Sequence, residues 1–178
     1  MTDSDLIASV LLNEDHAAFG ELVRRHQSAV RHFLLHLSGA DQAEVDDLAQ
    51  ETFVQAWRGL STFRANSAFS TWLLGIAHNH WRNARRRRRT EPLEPVHEAR
   101  AETLPPPSSL SDLRHDLDLA LRCLGEEERT ALHLFYQQGL SHSEIAAVLK
   151  WPLGTVKTNI NRGREKLRPL LAPWNPNP

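Results

Sequence analysis

Residues 141–167 read SHSEIAAVLKWPLGTVKTNINRGREKL, and this stretch decides the fold of the C-terminal third. Ser141 followed by Glu144 three positions later is a capping box that opens a short helix over 141–150. Trp151-Pro152-Leu153-Gly154 punctuates a tight turn, and a longer basic helix runs from about residue 153 to 171. A short capped helix, a turn and a basic helix make a helix-turn-helix, whose second helix enters the DNA major groove. On that helix Val156, Ile160, Gly163 and Leu167 fall at i, i+4, i+7 and i+11, one inward stripe. Gly163 in the stripe allows a neighbouring helix to approach closely. Thr155, Lys157, Thr158, Asn161, Arg162 and Lys166 supply the polar side. Arg and Lys donate to guanine acceptors, Asn pairs with adenine, and Thr serves phosphates or methyl groups.

Working outward, the rest of the chain is also helical in pattern, and strand signals are nearly absent. Leu113, Leu117, Leu121 and Leu124 stripe one helix, and residues 126–137 form another with Ala131, Leu134 and Phe135 inward. Further upstream, Phe19, Leu22, His26, Val30, Phe33 and Leu37 follow a stripe that ends at Ser38-Gly39. Val45, Leu48, Ala49, Phe53, Ala56 and Trp57 mark a second helix stopping near Gly59, and a third runs from about residue 70 to 86. Residues 90–111 hold five Pro and four Glu with few large apolar side chains, which reads as an extended linker. The expected architecture is therefore all-α: a domain over 1–89, a linker over 90–111, a second domain over 112–172 and a tail over 173–178. No apolar stripe in the linker fixes one domain against the other, so the two are expected to sample many separations.

The chain has 178 residues and a formal net charge of −1, which would argue against nucleic acid if the charge were spread evenly. It is segregated. Six of the 21 Lys and Arg lie in 82–89 and six in 150–168, whereas the first 64 residues carry ten acids against five Arg. An acidic front with two basic patches behind it implies two kinds of partner. The single cysteine, Cys123, excludes an internal disulfide and a Cys-based metal knuckle. No signal peptide is visible and no apolar run approaches the roughly 20 residues of a membrane span, so a cytoplasmic location is expected.

Two further constellations carry chemistry. Phe63, Arg64, Asn66, Ser67, Phe69 and Thr71 form a polar loop bracketed by aromatics, which runs into a helix carrying His78, Asn79, Arg82, Asn83, Arg85 and Arg86. Aromatics stack on unpaired bases, amides read their edges and arginines hold phosphates, so the set suits single-stranded DNA. Trp72 and Ile76 in the same helix fit a core face. The third is the acidic amphipathic helix with Asp46, Asp47, Gln50, Glu51, Phe53, Val54 and Trp57. Such a helix in a DNA-binding chain should face a basic protein partner, unless its acids merely favour the helix N-terminus.

Together these motifs resemble an extracytoplasmic-function (ECF) sigma factor, the two-domain bacterial transcription initiation factor. The matching segments are Asp47-Leu48-Ala49-Gln50-Glu51-Thr52-Phe53, then Phe63-Arg64 through Phe69-Ser70-Thr71-Trp72-Leu73, and Gly154-Thr155-Val156-Lys157 through Arg162-Gly163-Arg164-Glu165-Lys166-Leu167. The resemblance covers about residues 8–171. It implies a sigma-2 domain whose acidic helix (Asp46, Asp47, Gln50, Glu51 and Val54, backed by Phe53 and Trp57) meets the clamp coiled coil of the polymerase β′ subunit. It implies that the loop over 64–69 and the following helix capture a flipped base of the melted −10 element. It further implies a sigma-4 domain that reads the −35 element and meets the β flap, a linker threading toward the RNA exit channel, and an anti-sigma factor clamping both domains. Asn159 and Asn161 stand where relatives often carry larger or basic residues, so the −35 preference is not carried over. Gly163 stands where Ala is usual, and the Arg run over 85–89 is denser than the family requires.

Two other readings compete. A helix-turn-helix regulator that does not join the polymerase would need a ligand-sensing N-terminal domain, yet residues 1–89 offer an acidic helix and an Arg-rich edge. Co-purification with core polymerase discriminates the two. A metal-dependent nuclease is disfavoured because adjacent Asp46-Asp47 do not share a helix face, and no H-E-x-x-H occurs. His32 and His36 sit at i, i+4 without a further ligand motif and read as surface or packing residues. The expectation is a non-enzymatic protein with no cofactor and no metal.

Overall fold

In the computed structural model, residues 1–38, 42–90 and 120–172 are described, and no strand occurs among them. The N-terminal half holds α1 (Asp3–Asn13), α2 (His16–Ser38), α3 (Gln42–Gly59), a 3-10 turn (Leu60–Thr62) and α4 (Phe69–Thr90). The C-terminal half holds α5 (Glu126–Tyr136), α6 (His142–Leu149) and α7 (Leu153–Leu171). The expected linker core, the first two leucines of the stripe (Leu113 and Leu117) and the tail lie outside the described residues.

The helix α1 has no counterpart in the sequence reading. Thr2 and Asp5 form its capping box, with Thr2 N donating to Asp5 Oδ2 at 2.7 Å and Asp5 N to Thr2 Oγ1 at 3.2 Å. Its buried side chains, Leu6, Ile7 and Val10, lie on α2. Asp15 then accepts from Ala18 N at 3.0 Å and starts α2, whose buried stripe is Ala18, Leu22, Val30, Phe33 and Leu34. Around α2, helices α3 and α4 pack as a bundle that also buries Val45, Leu48, Leu73, Leu74 and Ala77. Helix α4 extends beyond the expected end near residue 86, as far as Thr90.

In the C-terminal half the capping box of α6 forms as expected. Ser141 N donates to Glu144 Oε2 at 2.9 Å, and Glu144 N donates to Ser141 Oγ at 3.3 Å. Lys150 ends α6 at φ 57°, ψ 39°, a left-handed cap on a residue other than glycine. Trp151 and Pro152 make the turn, and α7 starts at Leu153, where the sequence reading placed it. The inward stripe of α7 is buried at Val156, Ile160 and Gly163, as the spacing predicted. At Gly163 a Cβ would lie 2.6 Å from Leu132 Cδ1, so α7 passes close to α5 here and a side chain at this position would push the end of Leu132 aside.

The two halves touch in this structure. Helix α4 packs on α6 and α2 packs on α5, and the buried apolar side chains from Leu6 to Ile160 form one continuous cluster. What joins the halves is the helices' own faces, a feature that the linker's composition could not reveal.

Candidate nucleic-acid and protein interfaces

Helix α7 presents the polar face that its spacing implied. Lys157, Thr158, Asn161, Arg162 and Lys166 are exposed, and Thr155 is half-buried. Burying Val156, Ile160 and Gly163 against α5 fixes the opposite face outward. Lys166 is also tethered, its Nζ donating to Glu128 Oε2 at 2.8 Å. That carboxylate also accepts from Gly125 N at 3.0 Å, and the Lys166 bond leads the causes that hold its pKa below the usual range. Asn159 is buried at 8% exposure, which leaves Asn161 as the outward amide.

The acidic helix α3 also divides by face. Asp47, Gln50, Glu51 and Val54 are exposed, and Phe53 and Trp57 are half-buried behind them. Trp57 stacks on His16 with centroids 4.8 Å apart and meets the edge of Phe19 at 4.9 Å. Asp46, at the edge of this face, pairs with Arg31 of α2 at 2.5 Å. A residue absent from the sequence reading joins this site: His80 of α4 lies 3.3 Å from Glu51. Arg88 reaches Glu44 at 3.0 Å, so α4 lends positive charge to the rim of the acidic face. Spacing hints at this, since His80 is displaced by two positions from His78 and points elsewhere on α4.

The aromatic loop is placed differently from expectation. Arg64, Asn66 and Ser67 are exposed at its tip, and Arg82, Asn83, Arg85 and Arg86 are exposed along α4, with Asn79 half-buried. Phe69, however, is 4% exposed and packs edge-on against His26 and Phe63, while the half-buried Phe63 leans on Trp72. These phenyl rings stabilise the start of α4 and are not free stacking platforms in this arrangement. Thr71 and His78 are buried as well, and here the C-terminal half is close by. Thr71 Oγ1 donates to Glu144 Oε1 of α6 at 3.3 Å, and Arg85 pairs with Glu126 at the start of α5. The face of α4 that the sequence assigned to single-stranded DNA is thus partly covered by the helix-turn-helix half.

No group of three or more His, Cys, Asp or Glu side chains that could hold a metal ion occurs among the described residues. No described helix is long and apolar enough to cross a membrane.

Comparison with known proteins matches two stretches of the chain to Sigma-70 family models. Residues 22–91 match Sigma-70 region 2, and residues 114–167 match Sigma-70, region 4. The chain is 36% identical to the RNA polymerase sigma-H factor of Pseudomonas aeruginosa, over 89% of both chains. It is 34% identical to the ECF RNA polymerase sigma-E factor of Escherichia coli (strain K12), over 96% of this chain and 97% of that one. Among solved structures it is similar to the sigma factor RpoE of Bartonella quintana in complex with the anti-sigma factor NepR. The TM-score there is 0.65 and the identity 28%, over 86% of this chain and 96% of that one.

Proposed function

This chain belongs to the extracytoplasmic-function RNA polymerase sigma factors of the sigma-70 family, and on that premise we propose the surface through which each step of initiation runs. Core polymerase binds the exposed side of α3 through Asp47, Gln50, Glu51 and Val54, with Phe53 and Trp57 holding the helix in place. The −35 duplex is read by Lys157, Thr158, Asn161 and Arg162, with Thr155 and Lys166 toward the backbone. The −10 strand is held by Arg64, Asn66 and Ser67 at the loop tip and by Asn79, Arg82, Asn83, Arg85 and Arg86 on α4. Thr71 and His78 join this set once the two halves separate, and Phe63 and Phe69 support it from beneath.

The single observation that carries the reading is the division of α7. Its buried stripe is spent on α5 and α6, which leaves Lys157, Thr158, Asn161 and Arg162 on the outward face for a groove. Binding energy alone opens the −10 region in this scheme, so the protein is not an enzyme and requires no cofactor. It acts in the cytoplasm, where core polymerase and promoter DNA are found. An anti-sigma factor is the expected regulator, by analogy with the solved relative. Footprinting of a reconstituted holoenzyme tests the assignment: Lys157→Ala with Arg162→Ala should erase −35 protection and leave the complex with core intact. Loss of core binding in that variant would move these residues out of DNA readout.

A further inference from the structure

The contact between the halves is lined by three histidines. His36 at the end of α2 stacks on His133 of α5, with ring centroids 4.3 Å apart and planes inclined by 23°. Phe33 adjoins the same ring at 5.8 Å. His78 of α4 is 5% exposed, under α6. His36 Nε2 and His78 Nδ1 are buried without a hydrogen-bond partner among the described residues. A buried ring nitrogen with no acceptor gains nothing from a second proton, and two stacked imidazoles cannot both carry charge at this separation.

The surroundings make charging harder still. Around His36 stand Arg129 and His133 from α5, Arg164 and Arg168 from α7, and His32 on its own helix. His133 faces His36 and His32, and its Nε2 lies 3.4 Å from Gln138 Nε2. His78 faces Arg82 on its own helix, Lys150 at the end of α6 and Glu126 of α5. Glu126 is the one carboxylate in these sets, and it is already engaged by Arg85. We propose that His36, His78 and His133 form a proton-sensitive latch: the closed arrangement requires all three rings neutral, and acidification opens the halves. Burial, reinforced by the charge of Arg129 for His36 and by Arg82 and Lys150 for His78, outweighs the opposing hydrogen bond to the Arg129 backbone and the Glu126 charge and holds both at about 4. Burial and the neighbouring His36 hold His133 at about 3.

Separation returns each ring to water, where an imidazole titrates near 6.5. The open form therefore binds more protons at every pH below about 6.5. Closure is at full strength above that value and weakens as the pH falls toward about 4. Between pH 7.5 and 5.5 each histidine favours opening by about tenfold, and the three together by about a thousandfold. Opening uncovers Thr71 and His78. That this face then takes the −10 strand rests on the function proposed above; the latch itself does not.

The test therefore reads separation and not transcription. In the full-length protein carrying Cys123→Ser, a Thr71→Cys thiol lies under α6, and a free small-molecule thiol labelled under the same conditions corrects for thiolate fraction. The ratio of their labelling rates by a small disulfide reagent should rise about a thousandfold from pH 7.5 to 5.5, at constant helical content by circular dichroism. Adding His36→Phe and His133→Phe should cut the rise to about tenfold, and adding His78→Gln should remove the remainder. A ratio constant within about threefold, a rise unchanged by the histidine substitutions, or a loss of helicity across this range would overturn the latch.

Discussion

The hydrogen bond between Thr71 and Glu144 is the most exacting probe of the closed arrangement, because Glu144 does two things at once. Its Oε2 accepts from Ser141 N at 2.9 Å and from Ser141 Oγ at 2.7 Å, completing the cap of α6. Its Oε1 accepts from Thr71 Oγ1 at 3.3 Å across the two halves. Thr71→Val keeps the shape of a buried side chain and deletes the donor. A hydrogen bond to a charged acceptor contributes about 1.5–3 kcal/mol, but this one is long and Glu144 is partly in water, so about 0.5–1 kcal/mol is expected. Glu144→Ala loses that bond and the reciprocal half of the cap, itself about 1 kcal/mol, for a total of about 1.5–2 kcal/mol. The double variant should then be less destabilised than the sum by about 0.5–1 kcal/mol. Ser141→Ala, which weakens the cap alone, should show no such coupling to Thr71→Val. Urea unfolding of the full-length proteins measures both cycles. A Thr71–Glu144 coupling below about 0.3 kcal/mol, within the scatter of independent sites, refutes the contact and with it the packing of α4 on α6.

Three other outcomes follow from the same geometry. Lys157→Ala or Arg162→Ala should weaken binding to the cognate −35 duplex by about 1–3 kcal/mol without lowering the melting temperature; fluorescence anisotropy and a thermal scan check this. Reversing Asp47 and Glu51 to Lys should displace the protein from core polymerase on a sizing column, with duplex affinity unchanged in the unbound protein. Gly163→Val should wedge α7 away from Leu132 and destabilise the fold by about 1–3 kcal/mol, read as a lower thermal midpoint.

Much of this was legible in the chain. Cap, turn and stripe over 141–167 each pointed to one answer, and Ser141, Glu144, Val156, Ile160 and Gly163 all take the places that their spacing required. Helix α1 went unread although Thr2 and Asp5 spell a capping box, because its apolar stripe of Leu6, Ile7 and Val10 is short. Phe69 illustrates a different limit. An aromatic beside a polar loop has one composition whether it is buried or offered to a base, and only packing against Phe63 and His26 decides. The contact between the halves was invisible for the same reason. His36, His78 and His133 lie far apart in sequence, and no local period records that two of them stack or that His78 and His133 are buried with His36 half-buried beside them. His80 beside Glu51 likewise required the crossing of α3 and α4.

The measurement that bears most directly on the central claim is run-off transcription with purified core polymerase on a fragmented bacterial genomic template. The account predicts discrete transcripts that begin only when this protein is added, from sites sharing paired −35 and −10 elements. Those transcripts should vanish with Lys157→Ala and Arg162→Ala. Core polymerase that starts no new transcript in its presence, and that elutes free of it, would contradict the assignment.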